Sequence, residues 1–259
     1  MPDSNFELTK ARRKEIASLA EAKGRRRQGA FMAEGTKCVL DTLGAFKLRL
    51  LAATEAWLAA HDVDGPVVAV NRGMLGEMSS MSLAPDVIAV YELPDDYVFD
   101  PELPAGNLVI ALDRVQDPGN LGTIIRTADW MGITTILASA DTVDCFNPKV
   151  VQATMGAISR VKVIYGNLPE MLEAVGKNVP VYGTFLDGEN IYRQPLSDNG
   201  VIVMGNEGSG ISAEVAAVVT RRLFIPSYPP GRATSESLNV ATATAITLSQ
   251  FRSRFYGQD

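Results

Sequence analysis

Three polar clusters carry the side chains of this chain that could do chemistry. The first runs Asp113-Arg114-Val115-Gln116-Asp117-Pro118-Gly119-Asn120 and continues through Leu121-Gly122-Thr123-Ile124-Ile125 to Arg126. The second is Gly205-Asn206-Glu207-Gly208-Ser209-Gly210, and the third is Glu236-Ser237-Leu238-Asn239-Val240. Together they can offer a ligand amides, a hydroxyl, a carboxylate, a guanidinium and free backbone N–H groups at helix starts. Each also has a purely structural reading. Asp117 or Asn120 can cap one helix, Ser237 or Asn239 another, and Glu207 is either a solvated loop charge or a positioned acceptor. Arg126 lies nearly two turns into its helix beside Ile124 and Ile125, and is expected close to the sheet.

Other chemistries lack raw material. One histidine, His61, and two isolated cysteines, Cys38 and Cys145, cannot build the usual metal clusters, histidine triads or a disulfide framework. The cysteines read as small buried apolar residues and His61 as a surface residue in a loop. No G-x-G-x-x-G follows the first strand, and no Walker A sequence occurs.

The elements that must position the clusters come from apolar runs. Ala30–Ala33, Leu48–Ala53, Val67–Val70 and Val87–Tyr91 read as strands, with helices over Thr36–Leu43, Thr54–Ala60 and Gly73–Met78 between them. A basic segment, Lys10–Glu21, reads as a helix ahead of them. The proline-bearing acidic stretch Glu92–Gly106 marks a boundary, which gives domains at 1–97 and 107–259 joined by a linker at 98–106. Beyond it, strands are expected over Leu108–Leu112, Thr135–Leu137, Val161–Ile164, Val179–Phe185, Val201–Met204 and Leu223–Ile225. Helices over Leu121–Met131, Pro169–Val175 and Ala213–Val219 separate them, and a packed helix closes the chain. Such alternation indicates an α/β fold with a mostly parallel sheet covered on both faces. Ligands in these sheets bind at the carboxyl ends of strands, where all three clusters fall.

The 259 residues suffice for two domains with sizeable cores, and no apolar run approaches the roughly 20 residues needed to span a bilayer. A cytoplasmic, membrane-free protein is expected. Its net charge of −6 argues against nucleic acid, but its distribution argues for it. Nine of the 24 Lys and Arg residues lie between Lys10 and Lys37, including Arg12, Arg13, Arg25, Arg26 and Arg27, which are expected to contact nucleic-acid phosphates. Trp57 and Trp130 read as core or interface packing.

The ordered motifs N-x-G-x-x-x-R, G-N-E-G and E-S-L-N-V, over roughly Asn107–Arg252, resemble those of the SpoU/TrmH branch of the SPOUT methyltransferases. Ala30-Phe31-Met32-Ala33-Glu34-Gly35-Thr36-Lys37 and the basic start are similar to the ribosomal-protein-like substrate-binding domain often fused ahead of it. The resemblance implies a C-terminal trefoil knot, a homodimer with sites at its interface, S-adenosylmethionine as methyl donor and RNA as substrate, ribosomal favoured over transfer RNA. It assigns Asn120, Arg126, Glu207, Ser237 and Asn239 to catalysis, and Thr184, Gly205, Ile225 and Leu238 to the cofactor. One departure stands out. The loop Ser227–Ser235 is several residues longer than usual for the family, and its Arg232 is either an RNA contact or a solvated charge.

The implied reaction moves a methyl from a sulfonium to a ribose 2′-hydroxyl, a poor nucleophile until oriented and relieved of its proton. A guanidinium is a poor base, so Arg126 is read as a partner for the developing alkoxide or the neighbouring phosphate. Two other readings stay open: methylation of a base, and a non-catalytic RNA-binding adaptor that keeps the fold.

Overall fold

The computed structural model describes residues 8–255, except 96 and 234 and the side chain of 254. In chain order the elements of the first half are α1 (Lys10–Ala17), α2 (Ala22–Gln28), β1 (Ala30–Glu34), α3 (Thr36–Thr42), β2 (Leu48–Ala53), α4 (Glu55–Ala60), β3 (Val67–Ala69), α5 (Arg72–Met78) and β4 (Val87–Glu92). Then follow α6 (Leu103–Gly106), β5 (Leu108–Leu112), α7 (Pro118–Trp130), β6 (Thr135–Ser139), α8 (Pro148–Thr154), β7 (Lys162–Gly166) and α9 (Leu168–Glu173). The chain closes with β8 (Val181–Asn190), β9 (Gly200–Met204), α10 (Ala213–Val218), β10 (Arg221–Phe224) and α11 (Val240–Arg252). Every expected strand is present with its ends within two residues of expectation, except that β8 runs five residues further, to Asn190. The elements α2, α6 and α8 were not expected.

The chain divides into two compact units. The first holds residues up to Asp96 together with Asp144–Arg160, and the second holds Tyr97–Val143 together with the chain from Val161 onward. In the first, the sheet order is β1-β4-β2-β3, with β2 parallel to β3 and β4 antiparallel to both its neighbours. Alternation along β1 sorts its side chains between two faces. Ala30 and Met32 join Leu19, Leu75 and Ile88 in a core cluster that also holds residues of α1 and α5. Phe31 points to the opposite face and meets Phe46, Tyr91 and Phe146, with ring centroids 5.0, 5.4 and 4.5 Å away. Phe146 belongs to the returning segment, as does Val151, whose carbonyl lies 3.8 Å from Cys38 Sγ. That segment therefore covers a sheet face that the first 96 residues would leave partly open.

The second unit is built on a six-stranded sheet of order β10-β8-β9-β5-β6-β7, parallel throughout. Its strands are continuous apolar runs because both faces are covered. Val109, Ala111, Val201 and Val203 lie in one cluster with Leu168, Leu172 and Val215, and Tyr97, Phe99 and Leu103 pack against it. Residues expected as linker thus contribute to this core.

The basic segment also differs from expectation. A 3-10 turn at Ser18–Ala20 ends the first helix, and α2 follows it. Arg25 on α2 is only 2% exposed. Its Nε and Nη2 donate to Asp144 Oδ2 at 2.9 and 2.6 Å, and its Nη1 donates to the carbonyls of Leu19 and Ala20 at 2.9 and 3.0 Å. A buried guanidinium with those donors occupied cannot also hold phosphate, so Arg25 is a structural cation. Arg13 is largely engaged as well, with Glu77 at 2.8 Å and the Leu8 carbonyl at 2.6 Å. Arg12, Arg26 and Arg27 are exposed. His61 is no free surface residue: its ring stacks on Trp57 at 4.2 Å, and Nδ1 lies 2.9 Å from the Trp57 carbonyl oxygen.

Candidate active site

The first cluster forms because β5 ends abruptly in a buried carboxylate. Asp113, 2% exposed, follows five apolar residues and accepts the Ser212 backbone N–H at 2.6 Å. Its own N–H donates to the Met204 carbonyl at 2.9 Å, which ties the end of β5 to the end of β9. Arg114 then turns the chain with φ +59°, a left-handed conformation that costs a non-glycine residue about 1 kcal/mol. Two bonds hold it there: its N–H donates to Ser139 Oγ at 2.9 Å, and its carbonyl accepts Asn206 Nδ2 at 2.8 Å. The turn delivers Asp117, which caps α7 by accepting the Asn120 N–H at 2.8 Å.

Asn206 organises the second cluster from the other side. Its Oδ1 accepts the N–H groups of Gly208 and Ser209 at 2.9 and 3.1 Å, and its backbone exchanges hydrogen bonds with Gly210. A Cβ on Gly205 would stand 2.3 Å from the Gly210 carbonyl carbon, so only glycine fits there. The tight loop leaves Glu207 half-buried beside Asn120.

Asn239 is the N-cap of α11, its Oδ1 accepting from Ala241 N and Thr242 N at 3.0 and 3.2 Å. Its Nδ2 donates to Asn120 Oδ1 at 2.9 Å, and Asn120 Nδ2 donates to Glu207 Oε1 at 2.5 Å. One residue from each motif therefore joins a single directed chain, Asn239 to Asn120 to Glu207. Asn239 thus uses its oxygen to cap α11 and its nitrogen to hold Asn120. The direction of the chain is fixed by the carboxylate at its end, which can only accept.

Arg126 and Ser237 stand apart from this chain. Ser237 is exposed just ahead of α11, and Arg126 is exposed on α7 rather than held against the sheet. Neither side chain has a hydrogen-bond partner among the described residues. Six residues separate Arg126 from Asn120, which at 100° per residue puts them about 120° apart around the helix. Arg126 instead shares a stripe with Trp130 one turn on, and Trp130 is 82% exposed. Trp57, by contrast, is core, with its Nε1 donating to Thr36 Oγ1 at 2.9 Å.

Of the residues assigned to the cofactor, Gly205 and Ile225 directly follow β9 and β10, Thr184 lies within the adjacent β8, and Leu238 shortly precedes α11. Thr184 Oγ1 approaches Met204 Sδ at 3.8 Å, and Thr184, Gly205 and Ile225 are half-buried, while Leu238 is 44% exposed. Pairing of β8 with β10 skips from Gly183 to Glu189, so residues 184–188 bulge from the sheet. Arg222 pins the bulge, stacking 3.5 Å from the Phe185 ring centre and bonding Asp187 at 2.6 Å. Partly exposed apolar side chains beside backbone groups freed from the sheet suit a flat heteroaromatic with a polar edge. In the long loop, Tyr228 and Arg232 are exposed, and Thr234 lies outside the described residues.

Two contributors carried no assigned role in the sequence reading: Asp113, the buried carboxylate, and Asn206, the loop organiser. The signal for Asp113 is an acid directly after a five-residue apolar strand. Among the described residues, no group of three or more His, Cys, Asp or Glu is arranged to hold a metal.

Comparison with known proteins matches residues 107–249 to the SpoU rRNA Methylase family and residues 10–89 to the MRM3-like substrate binding domain. The 23S rRNA (guanosine(2553)-2′-O)-methyltransferase RlmP of Bacillus subtilis is 36% identical over 168 residues, which are 64% of either chain. An uncharacterized tRNA/rRNA methyltransferase of Synechocystis is 30% identical over 92% of this chain and 89% of its own. The structure of an AdoMet-bound rRNA methyltransferase from Sinorhizobium meliloti superposes with a TM-score of 0.83 at 32% identity, covering 97% of this chain and 98% of that one. The motif residues joined by hydrogen bonds all fall inside the matched span, and the chain belongs to the SpoU rRNA methylase family.

Proposed function

We propose that the protein is an S-adenosylmethionine-dependent 2′-O-ribose methyltransferase acting on ribosomal RNA in the cytoplasm. The observation that carries this reading is the Asn239–Asn120–Glu207 chain, which unites three motifs separated by up to 119 residues. Relatives named as 23S rRNA 2′-O-methyltransferases favour ribosomal over transfer RNA. The half-buried Thr184, Gly205 and Ile225 and the more exposed Leu238 would hold the cofactor, which when bound supplies an electrophilic methyl on a sulfonium.

The chain's own residues hold and prepare the acceptor. Glu207 keeps one carboxylate oxygen beyond the one that Asn120 occupies, and this can accept a hydroxyl proton's hydrogen bond and orient the ribose. Ser237 adds a second polar contact on the loop before α11. Arg126 carries a permanent charge for the developing alkoxide or the adjoining phosphate. Its distance around α7 from Asn120 supports a site completed by a second copy. In a homodimer that buries the Trp130 stripe, the Arg126 of one subunit would reach the amide chain of the other. The trefoil knot belongs to this reading too, with the stretch from β10 to α11 as the threaded segment.

Two measurements test the proposal. Radiolabelled methyl from S-adenosylmethionine is offered to ribosomal and transfer RNA from cells lacking the protein, and nucleosides are analysed. Label in a 2′-O-methylnucleoside of ribosomal RNA is expected; label on a base, or cofactor binding without transfer to any RNA, would refute it. Light scattering then reads the mass. Wild type is expected as a dimer and Trp130→Glu as a monomer that has lost transfer.

A further inference from the structure

Away from the motif residues, the first unit holds a cavity of ≈ 300 Å³ between α8 and the loop joining α5 to β4. Its walls are Ser80 and Met81 from the loop, and Pro148, Lys149 and Gln152 from α8, with Glu34 beneath. Glu34 sets the polarity of the floor. Its carboxylate is 3% exposed and accepts from Ser79 Oγ, from Ser80 Oγ at 2.5 Å and from the Ser80 N–H at 3.2 Å. A hydroxyl that has given its only proton to a carboxylate can offer a ligand nothing but lone pairs. Ser79 spends its acceptor on the Met81 N–H at 3.0 Å, whereas Ser80 Oγ accepts from no donor among the described residues. The floor is therefore an acceptor that seeks N–H groups.

The rim has the opposite character. Lys149 and Gln152 are exposed, and neither side chain is hydrogen-bonded among the described residues. Beside them the loop exposes Met81 at 39% and Leu83 at 80%. A cation and an amide at the mouth, apolar walls and an acceptor floor match an object with a charged tail, a flat apolar body and an N–H-bearing edge. An unpaired nucleotide has those parts in that order. The volume admits one base and excludes a base pair, whose edges are in any case hidden in a duplex.

Resting on the RNA-substrate reading above, we propose that this cavity captures one unpaired nucleotide of the RNA. Its base amino group faces Ser80 Oγ, its faces lie between Met81 and Pro148, Gln152 completes the edge, and Lys149 meets the phosphate. The first unit would then read a single-stranded feature, beyond the diffuse attraction of Arg12, Arg26 and Arg27.

Fluorescence anisotropy with labelled single-stranded oligo(A), oligo(C) and oligo(U) tests this on the full-length protein without requiring methyl transfer. Failure of the transferase reading therefore leaves the readout intact. Lys149→Ala/Gln152→Ala changes only exposed side chains, and an unaltered thermal melt verifies its fold. About 10-fold weaker binding of oligo(A) and oligo(C) is expected. Ser80→Ala should lower the affinity for oligo(A) and oligo(C) more than that for oligo(U), whose base offers Ser80 Oγ only a ring N3–H and no amino group. Unchanged affinity in the double variant, or equal wild-type binding of all three oligomers, overturns the proposal. So does free AMP that fills the cavity without competing against RNA, which would mark a mononucleotide site.

Discussion

Asn239 uses both ends of its amide, one to cap α11 and one to hold Asn120, and substitutions can separate the two roles. Asn239→Asp keeps the capping oxygen but loses the donor. Asn120 cannot rescue it by flipping, because its Oδ1 would then face Glu207. Melting temperature close to wild type with most transfer lost is the expected pair of results. Asn239→Ala removes both functions and should cost about 1 kcal/mol of stability as well, read by denaturant unfolding. Arg126→Ala should lose most transfer while calorimetry still registers cofactor binding, since among the described residues the side chain makes no hydrogen bond to Thr184, Gly205, Ile225 or Leu238. The motif residues were legible in the sequence because their order and spacing are specific. Arg25 was not: a run of three arginines reads as a surface, and nothing local reveals that the middle of the first unit needs one of them for an acid 119 residues away.

At the scale of elements, α3 and β4 tie the stability of the first unit to pH. It packs Cys38 and Thr42 against the sheet, and Thr42 Oγ1 lies 3.0 Å from the Tyr91 hydroxyl of β4. Burial pushes the Cys38 thiol up to about 11 and the Tyr91 phenol up to about 12, because neither anion is tolerated there. Unfolded, these groups ionise near their ordinary values of 9.0 and 10.0. Between those limits the unfolded chain loses protons that the folded chain keeps, so stability falls as pH rises. Melting temperature should hold below pH 9 and decline from there to about pH 12, with a shallower early decline in Cys38→Ala. Strands were the most legible elements, since buried parallel strands are bare apolar runs. The helix α8 escaped notice because Pro148-Lys149-Val150-Val151-Gln152-Ala153-Thr154 spans only two turns and shows no amphipathic period long enough to register. The start of β10 at Arg221 was missed for the converse reason: an edge strand tolerates charged residues that a buried one excludes.

For the whole molecule, the division into units cuts across the division of the sequence. The proline-rich stretch marked where the first unit's main segment ends, but the return of Asp144–Arg160 to it carries no compositional mark. A fragment of residues 1–97 lacks Phe146, the Val151 carbonyl and the acid that neutralises Arg25. Leaving a buried guanidinium unpaired costs about 3 kcal/mol before the lost apolar cover is counted. Expressed alone, the fragment should bind hydrophobic dye and melt without cooperativity, while the intact chain carrying Asp144→Asn folds but melts lower. The same arrangement bears on how the protein is made. Synthesis runs from the N-terminus, so the unit that leaves the ribosome first must wait for the last residues of α8 and the turn after it. At about 5–20 residues per second, the interval from Asp96 to Arg160 is roughly 3–13 s, during which Phe31 and Arg25 are in the open. The unit begun first is completed only after part of the second has already been translated, which makes that interval the window in which a chaperone would matter most.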